Sequence, residues 1–217
     1  MDAELLKYLE GFVSARRLER FKTVLENRTR YITVALEDVY QMHNASAVVR
    51  SCDVFGLQEA HLIEARYGHR LDKNIAMGAQ RWVDIQRHST TRGCVDMLRA
   101  RGYRIVATSP HQKSHTPETF PLDQPLALFM GTEKEGLSEE LLGLADATIH
   151  VPMVGFTESL NISVAAAILL HHLTGRLRAS DRPWQLTEDD KLAKRWDWAR
   201  KTVKSADEIL ARYQERS

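Results

Sequence analysis

Three stretches of this 217-residue chain set polar side chains directly after apolar runs, the places where open α/β proteins hold their ligands. The richest is VPMVGFTESLNISVAAAILL at 151–170. It reads as a strand broken at Gly155, a turn carrying Thr157, Glu158, Ser159 and Asn161, and an alanine-rich apolar helix. Taken alone it is either a ligand-facing turn or a capped core helix, because Ser and Asn are ordinary N-caps. The second, FMGTEKEGLSEE at 129–140, holds Glu133 between Gly131 and Gly136, whose missing side chains let backbone approach a ligand closely. A glycine turn followed by a capping box from Ser138 is the plainer alternative. The third, HNASAVVRSCDVFG at 43–56, offers Asn44 as a helix cap and Arg50 in the second turn of that helix.

Other chemistries lack their residues. No GxGxxG fingerprint or Walker loop is present, which removes support for the usual dinucleotide and phosphate-loop folds. Ser159 has no GxSxG elbow, which counts against a serine hydrolase. No metal is expected. Cys52 and Cys94 show no ligand spacing, and the adjacent His171 and His172 point about 100° apart on a helix. His111 and His115 fall in a proline-rich loop.

These clusters need a frame to hold them. Apolar spacing predicts helices over 3–26, about 45–55 with Gly56 as C-cap, 90–101, 138–144 and 160–178. Strands are predicted at 32–39, 60–65, 83–88, 103–109, 126–131 and 148–153. The stretch 110–125, with four prolines, is a loop; 179–187 reads as a linker and 188–216 as one or two amphipathic helices. Strands alternating with helices predict an α/β fold with a mostly parallel sheet covered on both faces.

An apolar content of 43% and a charged content of 27% are ordinary for a globular domain. No apolar run has the length of a membrane span, and the acidic-amphipathic N-terminus is unlike a signal peptide. With only two cysteines, a reducing, cytoplasmic setting is expected. The net charge of +1 decides nothing about nucleic acid, but its distribution is uneven. KLAKRWDWARKTVK at 191–204 carries six basic residues against Asp197, with Trp196 and Trp198 interleaved, and Arg16, Arg17, Arg20, Lys22, Arg28 and Arg30 crowd the N-terminal part. Such residues suit phosphates and stacked bases; solvated helix faces with docked tryptophans are the alternative.

Asn44 with Arg50, the GTEKEG loop and VPMVGFTESLNISVAAAILL together resemble, in order and spacing, the three motifs of the SpoU family of SPOUT RNA 2′-O-ribose methyltransferases. The resemblance runs from about residue 30 to residue 178, and is strongest to the branch acting on guanosine 18 of tRNA. It implies a SPOUT sheet domain at 31–178 with a C-terminal trefoil knot, and an obligate homodimer. Helical extensions at 1–30 and 179–217 flank that domain, the latter for RNA. Nothing in the residue patterns would have indicated the knot, because threaded connections are nearly absent from proteins.

The implied reaction moves a methyl group from S-adenosylmethionine to a tRNA ribose 2′-hydroxyl; another RNA target, or a non-catalytic RNA-binding protein on the same scaffold, are the alternatives. The cofactor is expected at Thr108, Gly131, Val151, Met153 and Leu160, and the reacting ribose among Arg50, Asn44, Glu133, Ser159 and Asn161. RNA is expected on Arg16, Arg17, Arg20, Lys194, Arg195, Arg200 and Lys201. The family proposal makes Arg50 a general base. Since an arginine stays protonated at pH 7, stabilising the developing alkoxide is the alternative role.

Overall fold

The segment ITVALE (β1, Ile32–Glu37) is buried along its whole length, as a central strand of a parallel sheet must be. In the computed structural model, which describes residues 3–39, 41–64, 76–110, 115–133 and 135–215, it lies inside a six-stranded sheet. The other strands are β2 (Glu59–Ile63), β3 (Asp84–His88), β4 (Arg104–Thr108), β5 (Leu126–Met130) and β6 (Ala147–Ile149). Their order is β3-β2-β1-β5-β4-β6, and every pairing is parallel.

Strand alternation sorts the core onto two faces. Ile32, Val34 and Leu36 point with Leu62, Val106 and Leu128 to one face, which α3 (Met42–Phe55) and α6 (Ile162–Arg178) cover. Ala35, Ile63, Ile105, Ala127 and Phe129 point to the other, under α4 (Thr91–Ala100) and α5 (Glu139–Leu144). Gly56, left-handed at φ 81, stops α3 as expected. Thr90, Ser138 and Asn161 each cap their helix by accepting a backbone N–H.

The second face also buries a polar ladder of Thr33, Glu37, Glu59 and His61. Glu37 accepts from Thr91 Oγ1 at 2.5 Å and from Ser138 N and Oγ at 2.8 and 2.7 Å, so it fixes the starts of both helices on that face. Glu59 accepts from Arg30 and from both terminal nitrogens of Arg101. Burial raises the Glu59 carboxyl, but the Arg101 hydrogen bond and the charges of His61, Arg101 and Arg30 outweigh it and hold it below its ordinary value. Desolvation brings the His61 imidazole down to about 4 and pushes the buried Cys94 thiol up to about 12.

The chain divides into two compact units, an α/β unit at Thr29–Trp184 and a helical unit built from Met1–Arg28 and Gln185–Ser217. The sequence suggested two separate extensions; instead α1 (Ala3–Glu10), α2 (Ala15–Leu25), α7 (Glu188–Thr202) and α8 (Ala206–Gln214) share one core. Residues 179–184 fall in the α/β unit, where Trp184 packs on the core and its carbonyl accepts from Thr29 Oγ1 at 2.5 Å. In the helical unit, Trp198 is buried edge-on to Phe21 and beneath the Arg28 guanidinium. A paired fork from Arg195 to Glu10 at 2.9 and 2.7 Å ties α7 to α1.

Three local expectations change. The helix predicted over 3–26 breaks after Glu10, because Gly11 ends one helix and extended Ser14 starts the next. The last strand stops at Ile149 rather than 153: His150 N turns to His115 O at 3.0 Å, and the chain leaves the sheet. Gln41, not Asn44, is the N-cap of α3, which frees the Asn44 amide for other partners.

Candidate active site

The turn after β5 is tight enough to admit only glycine at its first position. A Cβ on Gly131 would lie 2.0 Å from Gly136 O and 2.4 Å from Leu137 N. Thr132 and Gly136 exchange two backbone hydrogen bonds of 2.9 and 3.1 Å, with Gly136 left-handed at φ 70. That closed loop presents Glu133 towards α3 and the start of α6. Its Oε1 accepts from Asn44 Nδ2 at 2.9 Å and from Asn161 Nδ2 at 2.6 Å.

Asn161 Nδ2 also reaches Asn44 Oδ1 at 3.1 Å, while its own Oδ1 accepts from Ser163 N at 2.8 Å to cap α6. Asn44 Nδ2 is shared with Gln41 Oε1 at 2.9 Å. Two amides and one carboxylate therefore lock the three distant polar stretches of the sequence into one cluster. The capped-helix reading of 151–170 is met at Asn161, and the same side chain also joins the polar cluster.

Beside this cluster lies a cavity of about 350 Å³, within the range of small-molecule sites. Its walls come from the ends of β4, β5 and β6, at 108–110, 130–137 and 149–160. This is the carboxyl edge of the sheet, where open α/β folds bind ligands. Thr108, Gly131, Val151, Met153 and Leu160 all line it, together with Glu133 and Ser159. Its floor is apolar: Leu137, Ile149, Ile162 and Leu169. The Thr108 hydroxyl donates to Phe129 O at 2.9 Å, and Ser109 N to Ile149 O at 3.1 Å, so neighbouring strand ends hold one another.

The sequence reading missed His150, Ser109 and Pro110 as lining residues; the last two had a signal, the loop that must follow a buried strand.

Arg50 stands apart. It is exposed on α3, forms no hydrogen bond or ion pair among the described residues, and does not line the cavity. Six positions along a helix turn it about 240° away from Asn44. It shares a helix face with the exposed Val54.

In the helical unit, the two basic sets differ. Arg16, Arg17 and Arg20 are exposed on α2 with no acidic partner among the described residues. On α7 the cations face acids: Lys194 and Lys201 with Asp197, Arg195 with Glu10, and Arg200 with Asp207. The buried Trp198 cannot stack on a base.

The profile of the SpoU rRNA methylase family matches residues 31–171. A protein of Borreliella burgdorferi named tRNA (guanosine(18)-2′-O)-methyltransferase is 39% identical over 208 residues, spanning 94% of this chain and 95% of that one. The Aquifex aeolicus TrmH/SpoU tRNA modifying enzyme has a similar structure, with a TM-score of 0.78 and 30% identity over 87% of this chain and 98% of that one. An AdoMet-bound rRNA methyltransferase from Sinorhizobium meliloti gives a TM-score of 0.61 and 27% identity, covering 70% of this chain and 59% of that one.

Proposed function

The chain belongs to the SpoU rRNA methylase family and is an S-adenosylmethionine-dependent methyltransferase, and we propose that it methylates the 2′-hydroxyl of guanosine 18 in tRNA. The observation that carries the substrate is the likeness to the Borreliella protein of that name, which runs through both terminal segments of the chain as well as the sheet domain.

The cavity suits the cofactor. Bare backbone at Gly131 and the strand ends offers hydrogen bonds to adenine and ribose, and Val151, Met153 and Leu160 supply apolar walls. Bound there, S-adenosylmethionine supplies an electrophilic methyl group. The protein's part is to position the acceptor, which for two reactants held in line is a large share of catalysis. Glu133, braced by Asn44 and Asn161, and Ser159 orient the ribose at the cavity's mouth. Arg50 binds the neighbouring phosphate and stabilises charge growing on the 2′-oxygen, since a protonated guanidinium serves as donor more readily than as base.

In this reading the working form is a homodimer. Val154 and Phe156 are fully exposed, and Met42, Val54 and Val164 add apolar surface on α3 and α6, which a second copy would cover. Arg50, absent from its own chain's cavity and on the same face of α3 as Val54, then serves the partner's site. The trefoil knot belongs to the same reading; the laying of 149–150 beside 109 and 115 is the feature that supports it. Among the described residues no helix is long and apolar enough to cross a membrane, and a tRNA substrate accords with a cytoplasmic setting.

Incubation with unmodified tRNA and S-adenosylmethionine, followed by mapping of 2′-O-methyl groups, is expected to show one methylated ribose, at position 18. Methylation confined to ribosomal RNA would preserve the reaction and overturn the substrate.

The tRNA surface is read as the exposed face of α2. Replacing Arg16, Arg17 and Arg20 together by alanine is expected to weaken tRNA binding at least about tenfold and flatten its salt dependence, with cofactor binding unchanged. Alanines at Lys194, Arg195, Arg200 and Lys201 are expected to affect tRNA less, because those cations are already matched to acids. Equal losses from both sets, or none from α2, would remove the assignment.

A further inference from the structure

Away from the cavity, at the β3 edge of the sheet, three metal-ligating side chains converge. We propose that His61, His88 and Cys94 form a binding site for a divalent ion of the zinc class, joining β2, β3 and α4. His61 Nδ1 and His88 Nε2 are 3.1 Å apart, and a ring nitrogen of each histidine and Cys94 Sγ all lie within 4.8 Å of one another. A tetrahedral ion with bonds of about 2.0–2.3 Å sets its ligand atoms roughly 3.3–3.7 Å apart, so small side-chain rotations close the site. Two imidazoles and a thiolate are a borderline-soft set that favours zinc over magnesium or calcium.

A second, independent observation is the far side of the His61 ring. Its Nε2 is buried without a hydrogen-bond partner, and Glu59 Oε1 lies 3.4 Å from it. Metal-bound histidines characteristically turn their other nitrogen to a carboxylate, which fixes the tautomer and leaves the facing nitrogen bare for the ion. Glu59 is itself held by Arg30 and Arg101, so it orients the ring and does not compete as a ligand. A plain hydrogen bond between the imidazoles accounts for the 3.1 Å contact, but gives no role to a sulfur at the third corner.

His88 is partly exposed, which leaves the fourth position of the ion open to solvent. His61 lies 27 positions before His88, so the three ligands form no compact motif, and the histidines sit on adjacent parallel strands whose register puts Ile63, not His61, opposite His88.

The test uses the full-length protein, stripped with chelator and dialysed against Co²⁺ or Zn²⁺. One equivalent of ion per chain is expected, with a sulfur-to-cobalt charge-transfer band and a higher melting temperature. Cys94→Ala should abolish the band, Cys52→Ala should keep it, and His88→Ala should weaken binding at least tenfold, with circular dichroism confirming the fold of each. Absence of the band from folded wild-type protein, or its survival in Cys94→Ala, would overturn the proposal.

Discussion

Replacing Arg50 by lysine is expected to lower kcat for tRNA methylation at least about a hundredfold, on the scale of losing one donor to a developing oxyanion. Affinity for S-adenosylmethionine should stay within about twofold, because Arg50 does not line the cavity. Lysine keeps the charge but loses the planar fork that holds a phosphate and a neighbouring oxygen together. Stability should hardly change, since the side chain is exposed and without partners among the described residues. Turnover near the wild-type value would sink the role given to this residue. Steady-state kinetics with equilibrium cofactor binding separates the two effects.

The second large effect is expected at Gly131, which has no side chain of its own to offer the site. An alanine there would drive its Cβ to 2.0 Å from Gly136 O and 2.1 Å from Gly136 C. Both are backbone atoms, so no side chain can swing aside; the loop itself must open. Opening breaks the paired hydrogen bonds of Thr132 and Gly136 and withdraws Glu133 from Asn44 and Asn161. Gly131→Ala is therefore expected to cost about 1–3 kcal/mol of stability, as overpacking does, and to weaken cofactor binding at least about a hundredfold. Gly143→Ala, in α5 with nothing within 4 Å of the added carbon, is the control: cofactor affinity should be unchanged and stability should rise by up to about 1 kcal/mol, as for alanine over glycine in a helix. Calorimetric titration and denaturant melts read the two quantities; normal cofactor affinity in Gly131→Ala would discard the site.

These two variants also test where Arg50 acts. If it serves the partner's cavity, mixing Arg50→Ala with Gly131→Ala chains restores about a quarter of the wild-type sites, because half the dimers are mixed and each carries one intact site. If it serves its own chain, mixing restores nothing.

Much of this was legible in the sequence because it is local. Apolar runs marked all six strands, and Gly56, Ser138 and Asn161 took the capping places that their chemistry suggested. Five residues were expected around the cofactor by resemblance, and all five line one cavity, the arrangement the proposed role needs. What sequence could not reveal is which partner a polar group finds across the fold. Asn44 looked like a cap and instead donates to Glu133, 89 positions away. The basic stretch on α7 looked free, yet its Arg195 meets Glu10, 185 positions away. Of the two readings open for Trp198, a stacking platform or a docked aromatic, the second holds: it is a core residue of the helical unit. His61 gave no sign at all, because a ligand set spread over two strands and a helix has no linear spacing.

The shared core of the two chain ends has a consequence for synthesis. During translation α1 and α2 leave the ribosome before the sheet, but α7 and α8, which share one core with Leu9, Phe21 and Leu25, are made after it. At roughly 5–20 residues per second, the 185 positions between Glu10 and Arg195 take on the order of 10–40 s to make. Throughout that interval the arginine-bearing helix has no finished body to rest on, while the sheet can already form. A chain that stopped before α7 would complete the sheet and its cavity but leave α1 and α2 without the helices that share their core.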